Sequence, residues 1–386
     1  MDTFVLVFQK GNYVITDPKR FKDYFYPINP NDKDQRIRFL QEQRGSRKYT
    51  QNPSLLYRNK GLVYPNLTIW ERIRREKHIC DLHASISIAK LLFGHSFGDV
   101  GNERKNESVD LLVNRLADMG IEVKKVNICN SWAQTIHYST NIMFLSEEEA
   151  RMFLERMYKC SLGEWFENND KTFSNNGHAV RFHTDTFEIV FYLKYYDVLE
   201  KKNRSLDRHK TLQKQEIAEK AKKSGKIPPL VRMEIRMNGF RSIKTHFRAV
   251  FGIEKDRWTF DEVFDYIKNR KVLLYYWNKI IEKPENTIIL SDWSNRDICL
   301  NVKEKYNNEK IKTIAEGMGL FYMLNSLGVK DLKAFVELRH NRQAWYRKRR
   351  MIASFAKQFT VPNKSLITTI TRTLEKKSAQ LHLPLT

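Results

Sequence analysis

Two apolar segments separated by a short polar turn constrain the fold more than any other part of the chain. Residues 178–184 and 187–195 are rich in aromatic and β-branched side chains, and Thr184-Asp185-Thr186 joins them. This pattern predicts a β-hairpin, because such side chains favour strands and a short polar turn connects antiparallel neighbours. Further strands are predicted over residues 79–86, 121–129, 133–144 and 230–237. The sequence therefore predicts an antiparallel sheet.

Two segments within the same part of the chain have helical periodicity. Residues 105–119 repeat apolar side chains with helical spacing and are followed by Gly120, a typical helix stop. Ser146 and Glu149 form a capping pattern at the start of a second helix, which is predicted to extend to about residue 161. These helices are predicted to pack on the sheet.

The N-terminal segment has two different patterns. Residues 3–8 and 13–15 are apolar and flank Lys10-Gly11-Asn12, which predicts a hairpin. Residues 31–60 are polar, basic and rich in turn-forming residues, which predicts an irregular loop.

The pattern becomes helical beyond about residue 255. Helices are predicted over residues 260–282, 308–327 and 330–357. The chain is long enough for two domains. We therefore predict an α+β fold, with an antiparallel sheet and flanking helices in residues 1–254 and a mostly helical domain in residues 255–386.

The charge of the chain favours a polyanionic partner. Lys and Arg number 68 against 45 Asp and Glu, a formal net charge of +23. This excess predicts nucleic acid as the partner. The sequence contains no apolar run near the roughly 18 residues of a membrane span and no signal-peptide pattern, so we predict a cytoplasmic protein without a membrane partner. The four cysteines are widely spaced and are predicted to be reduced and structural.

The segment Phe191-Tyr192-Leu193-Lys194-Tyr195-Tyr196-Asp197 carries the main candidate for chemistry. A tyrosine is a poor nucleophile at its ordinary pKa of roughly 10, so attack on phosphorus requires a nearby cation or a metal-polarised phosphate, and Lys194 is a candidate for part of that role. Tyr196 would share a face with Tyr192 if a helix began there. The alternative is that Tyr192 is simply a core residue of an apolar strand.

Several segments, in order, resemble the gene II replication initiator of filamentous phages and the related plasmid replication proteins of the phage X family. The resemblance spans most of the chain. The matching segments are His83-Ala84-Ser85 with Lys90-Leu91-Leu92-Phe93-Gly94-His95-Ser96, Thr135-Ile136-His137-Tyr138-Ser139-Thr140-Asn141, Tyr192-Leu193-Lys194, and Leu230-Val231-Arg232-Met233-Glu234-Ile235-Arg236.

This resemblance implies a fold like that of HUH endonucleases and a metal-dependent nickase that starts rolling-circle replication in a bacterial host cell. The family's nucleophile heads the Tyr-Leu-Lys segment, so Tyr192 is the implied attacking residue, with Lys194 and Tyr196 beside it. The product would be a tyrosine joined to the 5′ phosphate at the cut. The implied partners are single-stranded or supercoiled origin DNA, together with host helicase and polymerase.

The implied metal ligands depart from the family pattern. Histidine stands at His83 and His137 where relatives carry acids, and Glu234 completes a mixed imidazole and carboxylate set. Such a set suits Mn²⁺ better than Mg²⁺. The alternative is that both histidines form ordinary hydrogen bonds within strands. Reserve ligands are His178, His183 and Asp81.

Basic side chains in three segments are predicted to contact DNA backbone. One segment is a helix predicted over residues 199–224, and the others are the strand around Glu234 and a cluster near residue 350. The predicted DNA contacts are Lys214, Lys220, Lys223, Arg232, Arg236, Arg347, Arg349 and Arg350. For the helix and the cluster, the alternative is an ordinary solvated surface; for Arg232 and Arg236, it is pairing with Glu234.

Two functions from different classes remain open at this level. The first is the tyrosine nickase and strand transferase. The second is an origin-binding or RNA-binding protein of the same fold that has lost its metal site, and a ribonuclease or transposase of similar fold is a more distant third.

Overall fold

A computed structural model gives the fold of the chain. It describes residues 1–22, 27–29, 31–43, 46–51, 62–74, 77–162, 171–174, 177–199, 229–291, 296, 298–300, 310–358 and 366–376. The predicted helix over residues 199–224, with Lys214, Lys220 and Lys223, lies almost entirely outside these described residues.

Eleven strands in the described residues form two antiparallel sheets. The large sheet has nine strands in the order β3-β4-β5-β1-β7-β11-β10-β9-β8, and β2 pairs with β6 in a separate small sheet. The strands are β1 Thr3–Phe8, β2 Val14–Ile15, β3 Ser46–Gln51, β4 Asn66–Arg74, β5 Lys77–Ser87, β6 Ile121–Glu122, β7 Trp132–Met143, β8 Lys171–Ser174, β9 Ala179–His183, β10 Phe187–Leu193 and β11 Leu230–Asn238.

Thirteen α-helices in the described residues lie between the strands or after the last strand. They are α1 Lys33–Gln43, α2 Ile88–Phe93, α3 Lys105–Asp118, α4 Lys125–Cys129, α5 Glu147–Lys159, α6 Lys194–Leu199, α7 Phe240–Phe251, α8 Phe260–Val263, α9 Tyr266–Ile281, α10 Pro284–Leu290, α11 Ile311–Arg339, α12 Arg342–Gln358 and α13 Leu366–Glu375. The predicted α+β class with an antiparallel sheet is therefore confirmed.

The central strands have one apolar face and one polar face, because successive side chains in a strand point to opposite sides. Helices cover the apolar face. The Phe153 ring of α5 lies 5.7 Å from the Phe191 ring of β10, and the Phe247 ring of α7 stacks 6.1 Å from Tyr138 of β7. We define the polar face by Tyr192 and the residues that share its side of the sheet. It carries Arg232, Arg236 and the three predicted metal ligands.

The predicted hairpin between residues 178 and 195 is confirmed. Strands β9 and β10 pair in antiparallel register, with Glu188 opposite His183. The predicted strands over residues 79–86, 133–144 and 230–237 are also present, as β5, β7 and β11. Ser146 caps α5 as predicted, since its side chain accepts a hydrogen bond from the Glu149 amide.

Three local predictions are wrong. Strand β1 does not form a hairpin with β2; it lies between β5 and β7, while the two-residue β2 pairs with β6. Residues 31–60 contain α1 and β3, which the fully buried Phe39 and the buried Tyr49 anchor to the fold. Residues 121–129 form a two-residue strand and the short helix α4, whose Ile128 is buried between polar neighbours. In the last two cases a few apolar anchors decide the structure, and their spacing is too sparse to show a helix or strand period.

Contacts cross the predicted boundary between residues 254 and 255. The Tyr138 hydroxyl of β7 donates a hydrogen bond of 2.8 Å to the Val263 carbonyl, and the Asn269 side-chain amide of α9 donates one of 3.1 Å to the Ser139 carbonyl. Buried residues on both sides of this boundary belong to one apolar cluster. The helices α8 and α9 therefore complete the packing on the apolar face of the sheet.

The helices predicted over residues 308–327 and 330–357 correspond to α11 and α12, but with different boundaries. Gly328, with φ 80°, lies between the two predicted helices but within the span of α11. The predicted helix over residues 330–357 is itself divided, because α11 ends at Arg339 and α12 begins at Arg342. Among the described residues, no helix is both long and apolar enough to cross a membrane.

Candidate active site on the polar face of the sheet

Tyr192 lies at the end of β10, immediately before α6 begins at Lys194. Its hydroxyl accepts a hydrogen bond of 3.2 Å from the Lys194 ammonium, which also lies 5.1 Å from the centre of the Tyr192 ring. Tyr192 is 8% exposed and Lys194 is 2% exposed. The predicted phenol and its predicted cation are thus in direct contact, largely shielded from solvent.

A second cation faces Tyr192 from the neighbouring strand. Arg232 is directly opposite Tyr192 in the register of β10 and β11 and is 1% exposed. Its guanidinium donates hydrogen bonds of 3.0 Å to Asn141 and 3.0 Å to Asp2, and the carbonyl of Gly98 lies 3.5 Å away. Burial alone would lower the pKa of Arg232, but Asp2 and the Tyr192 phenol outweigh it and raise that pKa. The positive charge beside Tyr192 is therefore fixed.

A buried carboxylate lies one step further along the same face. Glu234 contacts His137 at 3.2 Å and accepts a hydrogen bond of 3.0 Å from Arg236, which also pairs with Glu188 at 3.0 Å. Burial would raise the pKa of Glu234, but the His137 hydrogen bond and the charge of Arg236 hold it well below its ordinary value. Glu234 is thus an ionised acid held by two donors.

The register separates His83 from the other two predicted metal ligands. Across β1, His83 is opposite Val7 whereas His137 is opposite Thr3, an offset of four residues. At roughly 3.4 Å per residue this offset is about 14 Å along the strand, whereas ligands of one ion must all lie within about 2.5 Å of it. Among the described residues, no group of three or more His, Cys, Asp or Glu side chains could hold a metal ion. The three-residue ligand set is therefore not assembled.

His83 has a different partner in the structure. Its Nδ1 atom lies 2.9 Å from the Gln134 side-chain oxygen. Burial lowers the pKa of His83, and the Gln134 hydrogen bond opposes that effect only in part. This arrangement matches the ordinary strand histidine that the sequence left open.

The reserve ligands are also apart from Glu234. His178 stacks on Tyr196 with 3.8 Å between ring centres. Asp81 accepts a hydrogen bond of 3.0 Å from Arg72 on β4. Only His183 is near the acidic part of the network, because it lies opposite Glu188 in the register of β9 and β10.

Tyr196 does not share a helical face with Tyr192, because Tyr192 belongs to β10 and the helix begins two residues later. The Tyr196 hydroxyl donates a short hydrogen bond to Glu147 and accepts one of 3.0 Å from Arg151, both in α5. The two phenols therefore belong to different networks.

The predicted DNA contacts are in several environments. Arg232 and Arg236 are in the buried or half-buried ion pairs described above. Arg349 on α12 pairs with the buried carboxylate of Glu285 at 2.8 Å, whereas Arg347 and Arg350 on the same helix are exposed. Arg349 is therefore part of the helical packing, and its two neighbours are available to solvent.

The structure adds residues that the sequence did not indicate. Asp2 and Asn141 hold the Arg232 guanidinium, and Glu188 holds Arg236. The loop after α2 also contributes, because the Phe97 carbonyl accepts a hydrogen bond of 2.6 Å from Asn141. One signal was present in the sequence: polar side chains occupy every second position of β11 from Arg232 to Asn238, in a strand that is otherwise apolar.

Comparison of the chain with protein-family models, with curated proteins and with solved structures gave no match.

Proposed function

We propose that this protein is a DNA nicking and strand-transfer enzyme that uses Tyr192 as its nucleophile. The observation that carries the proposal is the environment of the Tyr192 hydroxyl, which contacts the Lys194 ammonium and faces the buried guanidinium of Arg232. Two adjacent positive charges favour the phenolate and also attract phosphate. Packing alone does not explain these two cations beside a core tyrosine, because burying a positive charge costs free energy.

The proposed step exchanges one phosphate ester for another. The Tyr192 oxygen forms a bond to phosphorus, the bond between phosphorus and the 3′ oxygen of the DNA breaks, and the proton lost by the phenol is balanced by the proton gained by the departing 3′ hydroxyl. The phosphotyrosyl link retains an ester of similar energy, so the 3′ hydroxyl of another strand can reverse the reaction without ATP. Lys194 and Arg232 would stabilise the charge on the phosphate oxygens.

The role proposed is initiation of rolling-circle replication, with single-stranded or supercoiled origin DNA as substrate. The ordered resemblance to the gene II and phage X proteins supports this role, as do the net charge of +23 and the antiparallel sheet that carries Tyr192. An HUH-endonuclease-like fold belongs to the same proposal. A divalent cation, Mn²⁺ or Mg²⁺, would polarise the scissile phosphate in such an enzyme. His83 lies apart from His137 and Glu234, so these three residues do not fit a single metal site.

A non-catalytic nucleic-acid binder is the second candidate. Two observations favour it: the Tyr192 side chain is only 8% exposed, and the three predicted metal ligands are not assembled. Under this alternative Arg232, Arg236 and Lys194 would stabilise the sheet and exposed cations elsewhere would bind phosphate.

The test is a search for a covalent adduct. Purified protein is incubated, with Mn²⁺ or Mg²⁺, with single-stranded DNA labelled at its 3′ end or with supercoiled plasmid, each carrying the sequence that flanks its coding region. The products are separated on a denaturing gel. We expect labelled protein with the parent and none with Tyr192→Phe, because that change removes only the nucleophilic oxygen. Tyr196→Phe and Tyr195→Phe are matched controls and should retain the adduct.

The variants are compared with the parent in DNA binding and thermal unfolding, so that misfolding is recognised. An adduct that persists in Tyr192→Phe refutes Tyr192 as the nucleophile. Tight DNA binding by the parent with no adduct and no nick under any of these conditions supports the non-catalytic binder instead.

A further inference from the structure

A row of partly exposed rings crosses the polar face at the end of the sheet remote from Tyr192. We call Trp70, His83, Trp132 and Phe240 the aromatic row. His83 and Trp132 are both opposite Val7, on either side of β1, so they are two strand spacings apart, or about 10 Å. Trp70 lies 6.4 Å from His83 and Phe240 lies 6.3 Å from Trp132, measured between ring centres. All four rings are partly exposed.

Cations accompany both ends of the aromatic row. The Lys48 ammonium lies 5.3 Å from the Trp70 ring centre. The Arg257 guanidinium lies 3.7 Å from the Phe240 ring centre and 5.5 Å from that of Trp132. Lys48 and Arg257 are exposed, and so is Arg72, which shares its face of β4 with Trp70. Exposed positive charges therefore flank the aromatic row at both ends.

Single-stranded nucleic acid is the ligand whose chemistry fits a row of exposed rings flanked by cations. Its bases stack on exposed aromatic rings and on guanidinium planes, while its phosphates pair with the cations beside them. A duplex would present only phosphates to the rings, because its bases are already stacked. An acidic peptide would use the cations but not the tryptophan faces.

We infer that the aromatic row binds single-stranded DNA by base stacking, apart from the point of cleavage. This inference rests on the proposed function, because it assigns a path to the same substrate. Tyr192 is level with Asn141 through Arg232, and Asn141 is nine residues from Trp132 along β7. With one of those residues in a β-bulge, the separation is about 27 Å along the strand. The row therefore holds bases several nucleotides away from the phosphate that Tyr192 attacks.

The test measures equilibrium binding of a fluorescently labelled oligothymidylate by anisotropy, without any requirement for cleavage. Trp70→Ala and Trp132→Ala should each weaken binding by roughly 5- to 150-fold, the range for loss of one base-aromatic stack. Trp70→Phe and Trp132→Phe should keep most of the affinity. Tyr322→Ala is the matched control, because Tyr322 is an exposed aromatic residue on α11 outside the row.

Two further arms separate stacking from charge and from misfolding. Lys48→Ala and Arg257→Ala should each flatten the slope of log affinity against log salt by about 0.7, whereas the tryptophan variants should leave that slope unchanged. An oligonucleotide with abasic sites should bind the parent and the Trp70→Ala variant equally, because it offers no base to stack.

The inference would be overturned if the parent and both tryptophan-to-alanine variants bound oligothymidylate with equal affinity. It would also be overturned if Trp70→Ala lost as much affinity for the abasic oligonucleotide as for oligothymidylate. Absence of single-strand binding by the parent would overturn it as well. The Tyr192→Phe variant should bind oligothymidylate as the parent does. If no adduct ever forms but the tryptophan variants still lose affinity, the nicking proposal fails and the aromatic row stands.

Discussion

The Arg232 side chain provides the strongest test of the site geometry. It is 1% exposed, and its hydrogen-bond acceptors are the carboxylate of Asp2 and the side-chain oxygen of Asn141. Arg232→Met keeps a long side chain but removes the charge, so it leaves the buried Asp2 carboxylate without this partner. Breaking a buried ion pair from one side costs about 3–5 kcal/mol, a large part of the roughly 5–15 kcal/mol that stabilises a typical domain.

An ion pair in the same sheet whose arginine is exposed provides the control. Arg72 is paired with Asp81 at 3.0 Å; the Arg72 side chain is 44% exposed and that of Asp81 is 12% exposed. Arg72→Met should therefore lower the free energy of unfolding by less than Arg232→Met does, because solvent already reaches the Arg72 guanidinium. The double variant Asp2→Asn with Arg232→Met should recover part of the loss, because the buried carboxylate is no longer present.

The loss in Arg232→Met should depend on pH in a defined direction. Burial would raise the pKa of Asp2, but Arg232 outweighs it and holds that pKa below its ordinary value of 3.8. In the parent this carboxyl group adds stability that is fully present above pH 3.8 and is lost only as the pH falls through the lower, folded-state pKa. In Arg232→Met the main charge that opposes burial is gone, so burial raises the pKa of Asp2 and the carboxyl group takes up a proton at a higher pH than in the parent. The cost of the buried carboxylate in the variant, and with it the difference from the parent, should therefore be largest near pH 7 and smaller near pH 4.

The assay is urea unfolding followed by circular dichroism for the parent and each variant, at both pH values. If Arg232→Met unfolds before urea is added, Arg232→Lys keeps the charge and should show a smaller loss. A cost for Arg232→Met no larger than that for Arg72→Met, with no change between pH 7 and pH 4, would refute the buried pair and with it the fixed cation beside Tyr192.

Two further changes test other parts of the structure. Glu234→Gln should flatten the acid side of the stability profile, because the pKa of Glu234 is held well below 4.5 and the stability that this adds is lost as the pH falls through the lowered value. Unfolding at pH 7 and at about pH 3 measures this loss. Identical profiles for the parent and the variant would contradict the contact between Glu234 and His137. Gly328→Ala should destabilise by at least about 1 kcal/mol, because Gly328 has φ +80° and a Cβ there would lie 2.9 Å from the backbone of Lys159. Gly319→Ala, in open space on the same helix, should be neutral or stabilising in the same melts.

The pattern of apolar side chains along the sequence determined the strands that carry the site, because a short segment with alternating or continuous apolar side chains is buried most readily as a strand of a sheet. The sequence alone predicted the hairpin of β9 and β10 and the long strands β5, β7 and β11. The prediction of a loop over residues 31–60 was wrong, because a single buried residue, Phe39, packs α1 against the rest of the fold and produces no periodic pattern. The pattern also did not show that β1 lies between β5 and β7, because strand order depends on which faces meet in the folded core.

The candidate site divides in the same way. The contact between Tyr192 and Lys194 was predictable because only one residue separates them along the chain. The pairing of Arg232 with Asp2 joins residues 230 positions apart, and no local pattern contains it. The separation of His83 from His137 was equally hidden, because it depends on the register of two strands against β1. Register is set by the burial of whole strand faces, so only the tertiary structure could decide which polar residues meet.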